Sequence, residues 1–167
     1  MKRLLPWLLG LALIGGWLVW GRTTEEDRVR RVIQGMARDA SFTGNEGNIA
    51  RLAKVESLAS AFTLDAELHV DQVVPIESAV TGRDVIKGML LASLPAIRAV
   101  RVEVHDVQVT LESDDTARAV LTASARAGGG KGEFNAQEFE FRLARVEGQW
   151  RVRRIEAVLG FRRPVIR

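Results

Sequence analysis

The second half of the chain alternates apolar and polar residues with a period of two, and three times that alternation slips by one position. Val100, Val102 and Val104 share one parity, but after His105-Asp106 the apolar series becomes Val107, Val109 and Leu111. Phe134 and Ala136 are followed, past Gln137-Glu138, by Phe139, Phe141 and Leu143. Trp150 and Val152 give way, past Arg153-Arg154, to Ile155, Ala157 and Leu159. Side chains alternate strictly across a strand, so one inserted residue turns everything after it to the other face. A strand that keeps its core face through such a slip needs a β-bulge, which bends it and increases its twist. The pattern therefore predicts four long strands, over 97–112, 116–127, 133–146 and 149–159, curling together with bulges near Asp106, Gln137 and Arg153. Ser113-Asp114-Asp115, the glycine-rich run 128–132 and Glu147-Gly148 are turn-like links, so neighbouring strands run antiparallel.

The first half has a period nearer 3.6. Thr23-Thr24-Glu25-Glu26 reads as a helix start, with Thr23 as N-cap and Glu26 closing a capping box. Val29, Val32, Ile33, Met36, Ala37 and Ala40 follow on one face. Past the break at 42–47, Asn48 caps a second helix with the stripe Ile49, Leu52, Ala53, Leu58, Ala59 and Phe62. A short strand over 66–74 comes next. Thr81-Gly82-Arg83-Asp84 opens a third helix that turns Val85, Ile86, Met89, Leu90 and Leu94 inward, and Pro95 stops it. The fold class is α+β, three helices packed on one face of a strongly bent antiparallel sheet.

Ahead of all this, residues 4–20 are apolar and uncharged, at the short end of what spans a bilayer. Trp7, Trp17 and Trp20 stand near the ends of the run, and Lys2 and Arg3 flank it. An uncleaved single-pass anchor and a signal peptide removed on export both fit this pattern. The bulky Val19-Trp20-Gly21 is a poor peptidase site, which favours retention. A short basic N-terminus places the domain outside the cytoplasm. The chain thus divides into a membrane segment over 1–22, a domain over 23–161 and a basic tail over 162–167.

Composition narrows the chemistry. A hydrophobic content of 47% with 27% charged residues suits a globular domain. Of 24 basic residues against 21 acidic, two precede the apolar segment. Charges of both signs are interspersed in the rest, so the isoelectric point near 9.9 carries no nucleic-acid signature. With no cysteine, disulfides, thiolate catalysis and cysteine zinc sites are excluded.

His69 and His105 are the only histidines, and no carboxylates cluster beside them at ligand spacing, so neither a metal nor a cofactor is expected. Asp65, Glu67 and Asp71 gather carboxylates in the first strand, where solvated charge explains them. The glycine run 128–132 joins two strands without the hydroxyl and helix of a phosphate loop, and reads as a turn. Ala117, Ala119, Ala123 and Ala125 line one strand face with small side chains, which either admit a helix closely or leave cavity volume.

The element order, together with Leu58-Ala59-Ser60-Ala61-Phe62-Thr63-Leu64-Asp65-Ala66, Thr81-Gly82-Arg83-Asp84-Val85-Ile86 and Phe141-Arg142-Leu143 through Gly148-Gln149-Trp150-Arg151-Val152, resembles the nuclear transport factor 2-like superfamily. That superfamily includes SnoaL-like and ketosteroid isomerase branches. The resemblance covers roughly residues 24–160. It implies a cone whose open end is a pocket, and subunits that pair through the sheet into a homodimer. It points to Val70, Met89, Val104, Phe139, Phe141 and Trp150 as pocket lining. Isomerase-type members carry an aspartate base late in the first strand, with a tyrosine and a protonated acid as oxyanion donors. Here there is no tyrosine. The base position falls on Val70, or on Asp71 after a one-residue slip, and the acid's equivalent falls near Glu138 or Phe139. The expectation is a membrane-tethered, non-catalytic module that binds a partner protein or a small apolar ligand. The alternative is a small hydrolase, dehydratase or isomerase using Asp71, with His69, as general base.

Overall fold

A computed structural model describes residues 24–70, 79–128 and 133–158. The order of elements is α1 (Glu25–Asp39), α2 (Asn48–Ser60), β1 (Phe62–His69), β2 (Val80–Thr81), α3 (Arg83–Ser93), β3 (Val100–Leu111), β4 (Thr116–Ala127), β5 (Glu133–Val146) and β6 (Gln149–Ala157). The six strands form one sheet in the order β2-β1-β6-β5-β4-β3. From β3 to β6 it is an antiparallel meander. The expectation of a wholly antiparallel sheet needs correcting, because β1 runs parallel to β6. No tight turn joins those two strands, so nothing forces a hairpin between them, and the sheet is mixed.

The register shifts fall where the sequence slips. On β3 the pairing jumps between His105 and Gln108, and Asp106 takes a left-handed backbone with φ of 53°. That one residue lets Val104 and Val107 both pack against the core. On β6, Arg142 pairs with Arg154 but Leu143 pairs with Val152, so Arg153 is the extra residue. Along β5 the slip lies between Phe134 and Gln137, one or two residues before its expected place.

Helix α1 turns Val29, Ile33 and Met36 into the core. Its capping box begins one residue later than the sequence suggests. The Thr24 hydroxyl accepts from the Asp27 amide at 3.2 Å, and the Asp27 carboxylate accepts from the Thr24 amide at 3.4 Å. Its first turn is pinned to the β5–β6 hairpin. The Glu25 carboxylate accepts from Trp150 Nε1 at 2.8 Å and from the Arg145 guanidinium, which stacks over the Trp150 ring at 5.2 Å. Ala117 and Ala119 of β4 are fully buried in the same core.

Helices α2 and α3 differ more from expectation. Asn48 is the first helical residue of α2, and Gly47 is an N-cap with no side-chain bond. Phe62 belongs to β1. Gly82 caps α3 with φ of 101°, a conformation glycine adopts without strain, and its N–H donates to the Ala66 carbonyl at 2.8 Å. Only Ile86 of α3 is buried, because the helix lies over the short β1–β2 edge of the sheet. Ile49, Leu52, Val85 and Met89, expected inside, are exposed. Among the described residues no helix is long and apolar enough to cross a membrane. The proposed membrane segment 4–20 and the basic tail 162–167 lie outside the described residues.

Candidate functional site

The inner face of the sheet and the C-terminal half of α1 line an open cavity of about 280 Å³. From α1 come Ile33, Met36, Ala37 and Ala40, the same stripe that builds the core, carried on for one more turn. Leu58 of α2 and Phe62 of β1 close one side. Opposite them, the bulged strands supply Val102 and Val104, Leu121 and Ala123, Phe139 and Phe141, and Ile155. Leu68 and Val70 complete the wall, and every lining side chain is apolar. Along β5, Phe139 and Phe141 share the parity of the buried Leu143, all three lying past the slip between Phe134 and Gln137.

Of the residues expected at the pocket, Val70, Val104, Phe139 and Phe141 line this cavity, whereas Met89 and Trp150 do not. Met89 sits on an exposed flank of α3. Trp150 follows the β5–β6 turn directly and is buried at the opposite end of α1, against Glu25. It pairs with Arg145, six residues from Phe139 along β5, and six residues of strand span about 20 Å. Ala123, read from sequence as a small residue that admits a helix or leaves cavity volume, lines the cavity, as do Ala37 and Ala40 of the α1 stripe. They are small residues continuing an apolar stripe, and the space they leave is cavity.

The titratable candidates stand elsewhere. Leu68 and Val70 face the cavity, so strand alternation turns His69 to the outer face of the sheet. There its Nε2 lies 3.1 Å from Glu67 Oε2, and the Glu67 carboxylate lies 3.6 Å from Arg154. Cross-strand pairing extends this into a ladder: Arg154 lies opposite Arg142, Glu156 opposite Glu140, and Arg142 opposite Arg118. Glu140 bonds Arg118 at 2.7 Å and Arg142 at 3.1 Å. The Arg118 bond is the first cause holding the Glu140 carboxyl below its ordinary range. Phe139 lines the cavity, so its neighbour Glu138 takes the outer face as well. His105, beside the bulge at Asp106, is exposed, 3.9 Å from Glu103. Asp71 lies outside the described residues.

Among the described residues no group of three or more histidine or acidic side chains is placed to hold a metal ion. Gly128 is required for packing and not for phosphate: a Cβ there would come within 2.6 Å of the Ala99 Cβ, and its N–H donates to the Ala99 carbonyl at 2.9 Å.

The model of the SnoaL-like domain matches residues 52–156. No curated protein matches the chain. Among solved structures, an NTF2-like protein with a cystatin-like fold from Novosphingobium aromaticivorans is 19% identical, with a TM-score of 0.62 over 97% of this chain and 94% of that one. A second protein from that organism, provisionally named as a scytalone dehydratase, is 20% identical, with a TM-score of 0.57 over 78% of this chain and 80% of its own. An NTF2-like protein of unknown function from Pseudomonas putida is 13% identical, with a TM-score of 0.62 over 83% and 89%. At these identities the likeness is one of fold.

Proposed function

The chain belongs to the SnoaL-like domain family, and from that premise we propose that it is a non-catalytic binding module, held at a membrane by its N-terminal segment, that takes a small apolar ligand into its cavity. The observation that carries this reading is the lining itself. An apolar cavity of about 150 Å³ already admits benzene. At about 280 Å³ there is room for more than a single ring. Such a site rewards hydrocarbon surface at about 25 cal/mol per Å² and penalises any polar group that enters without a partner.

General acid–base catalysis needs a titratable group within hydrogen-bond reach of the reacting atom. His69 is turned to the opposite face of the sheet, and the phenolic donor of the isomerase type has no counterpart in a chain without tyrosine. A second reading, dehydration, draws on the provisional name of one Novosphingobium relative and on Asp71, which directly follows the cavity residue Val70.

One experiment separates the two. The full chain in nanodiscs is mixed with a panel of neutral aromatic and aliphatic compounds, some hydroxylated. Occupancy is read by native mass spectrometry, and the released ligand is analysed for chemical change. We expect one apolar ligand per chain, recovered unchanged, with equal occupancy in Asp71→Asn. Loss of water from a hydroxylated compound, abolished by Asp71→Asn, would replace the binding reading with the dehydratase reading.

A further inference from the structure

Helix α3 is apolar on more sides than the fold covers. Its 11 residues include Val85, Ile86, Met89, Leu90 and Leu91, yet Val85 is 54% exposed and Met89 and Leu91 are 36% exposed. At about 100° per residue, Val85 and Met89 lie on one flank of the buried Ile86 side and Leu91 on the other. Both flanks therefore reach solvent. Across the seam with α2, which the Lys87–Glu56 ion pair bridges, Ile49 and Leu52 are exposed too. A helix apolar on most sides is ordinarily covered, and exposed apolar flanks on such a helix mark an interaction surface.

The charge beside this patch indicates what covers it. Helix α3 starts at a cleft lined by Arg83, Arg151 and Arg153 and by the carboxylates Asp65 and Glu147, with the exposed apolar side chains of Leu64 and Val146 among them. Asp65 takes up Arg153 at 3.3 Å. Its carboxyl is held below the ordinary range by the Thr63 hydroxyl first, then by its own backbone and Arg153. Arg83 makes no ion pair with a described residue, and its Nε is buried without an acceptor. It is also the first residue of the helix, where the macrodipole disfavours a cation and favours an anion. Apolar side chains next to a guanidinium group that makes no ion pair with a described residue suit an anionic lipid surface. The apolar segment 4–20 ends only three residues before the Thr24 cap of α1, which keeps the domain close to any bilayer that segment enters.

We propose that α3 and the arginine cleft at its N-terminus dock on the anionic surface of the membrane that holds the chain. This rests on the tether of the preceding section, and the test keeps the two apart. The chain has no cysteine, so Met89→Cys, Leu91→Cys and, on the far side of the sheet, Thr110→Cys each give a single site for an environment-sensitive fluorophore. The labelled full chains are reconstituted into phosphatidylcholine vesicles with and without phosphatidylglycerol and a lipid-borne quencher. Labels at 89 and 91 are expected to shift to the blue and quench when phosphatidylglycerol is present, while the label at 110 stays in water. Arg83→Glu is expected to weaken that quenching several-fold while the protein still floats with the vesicles. Flotation with both α3 labels in water would overturn docking and leave the tether standing. A chain that does not float overturns both. Labels shielded without vesicles, in proportion to protein concentration, would make a second copy the occupant and overturn the lipid reading.

Discussion

On the inner face of the sheet, Val104, Leu121, Phe139, Phe141 and Ile155 present only hydrocarbon to the cavity. On the outer face the residues between them, Arg118, Glu140, Arg142, Arg154, Glu156, Glu67 and His69, make a ladder of ion pairs. The same backbone carries both, because strand alternation sends neighbours to opposite sides and each bulge resets the phase so that neither side is contaminated. The lesson concerns function as much as packing. His69, which looks catalytic in the sequence, belongs to the face that has no enclosure.

The sharpest way to break this contrast is to truncate one residue from each face. Leu121→Ala removes a side chain that is almost fully buried at the cavity wall. It should destabilise the domain by about 2–5 kcal/mol, read as a lower denaturant midpoint. Arg142→Ala, on an exposed rung of the ladder, should cost no more than about 1 kcal/mol. Equal losses would mean that the ladder bears as much of the fold as the core does.

A smaller effect tests the closed end of the cone. The Glu25 carboxyl is held below its ordinary value of 4.5, first by the Trp150 indole N–H and then by Arg145. A depressed folded-state pKa contributes stability that is complete above about pH 4.5 and is lost as pH falls through the folded value. Glu46, Asp65 and Glu140 are shifted in the same direction, so the whole domain should weaken in acid. Trp150→Phe removes the leading donor to Glu25. Denaturant midpoints measured at pH 7 and pH 3.5 should therefore converge more in Trp150→Phe than in the unmodified protein, and an unchanged gap would dissociate Glu25 from the acid response.

Much of this fold was legible because its bulges leave a mark that composition cannot imitate. The parity slips at His105-Asp106 and Arg153-Arg154 located two bulges to the residue. The sequence was silent on where β1 pairs. Its parallel pairing with β6 is a long-range choice made by packing, and Phe62 suits a helix stripe as well as it suits a strand. The stripes of α2 and α3 misled for a related reason: periodicity shows that Ile49, Val85 and Met89 share helix faces with apolar neighbours, but not that a two-residue β2 leaves those faces uncovered. At the site, Val70, Val104, Phe139 and Phe141 came from the family resemblance, and all four line the cavity. Trp150 came from the same resemblance and does not line it, because its closeness to the Glu147-Gly148 turn puts it at the other end of α1, against Glu25.

The central claim is that the apolar face alone makes the site. Its most direct measurement is ligand occupancy by native mass spectrometry of the full chain, compared among the unmodified protein, Ala123→Phe and His69→Ala. Ala123→Phe fills the cavity from the β4 wall and should lower occupancy at least tenfold, whereas His69→Ala, on the outer face, should leave it unchanged. Occupancy that survives Ala123→Phe but falls with His69→Ala would contradict the account and move the site to the charged face.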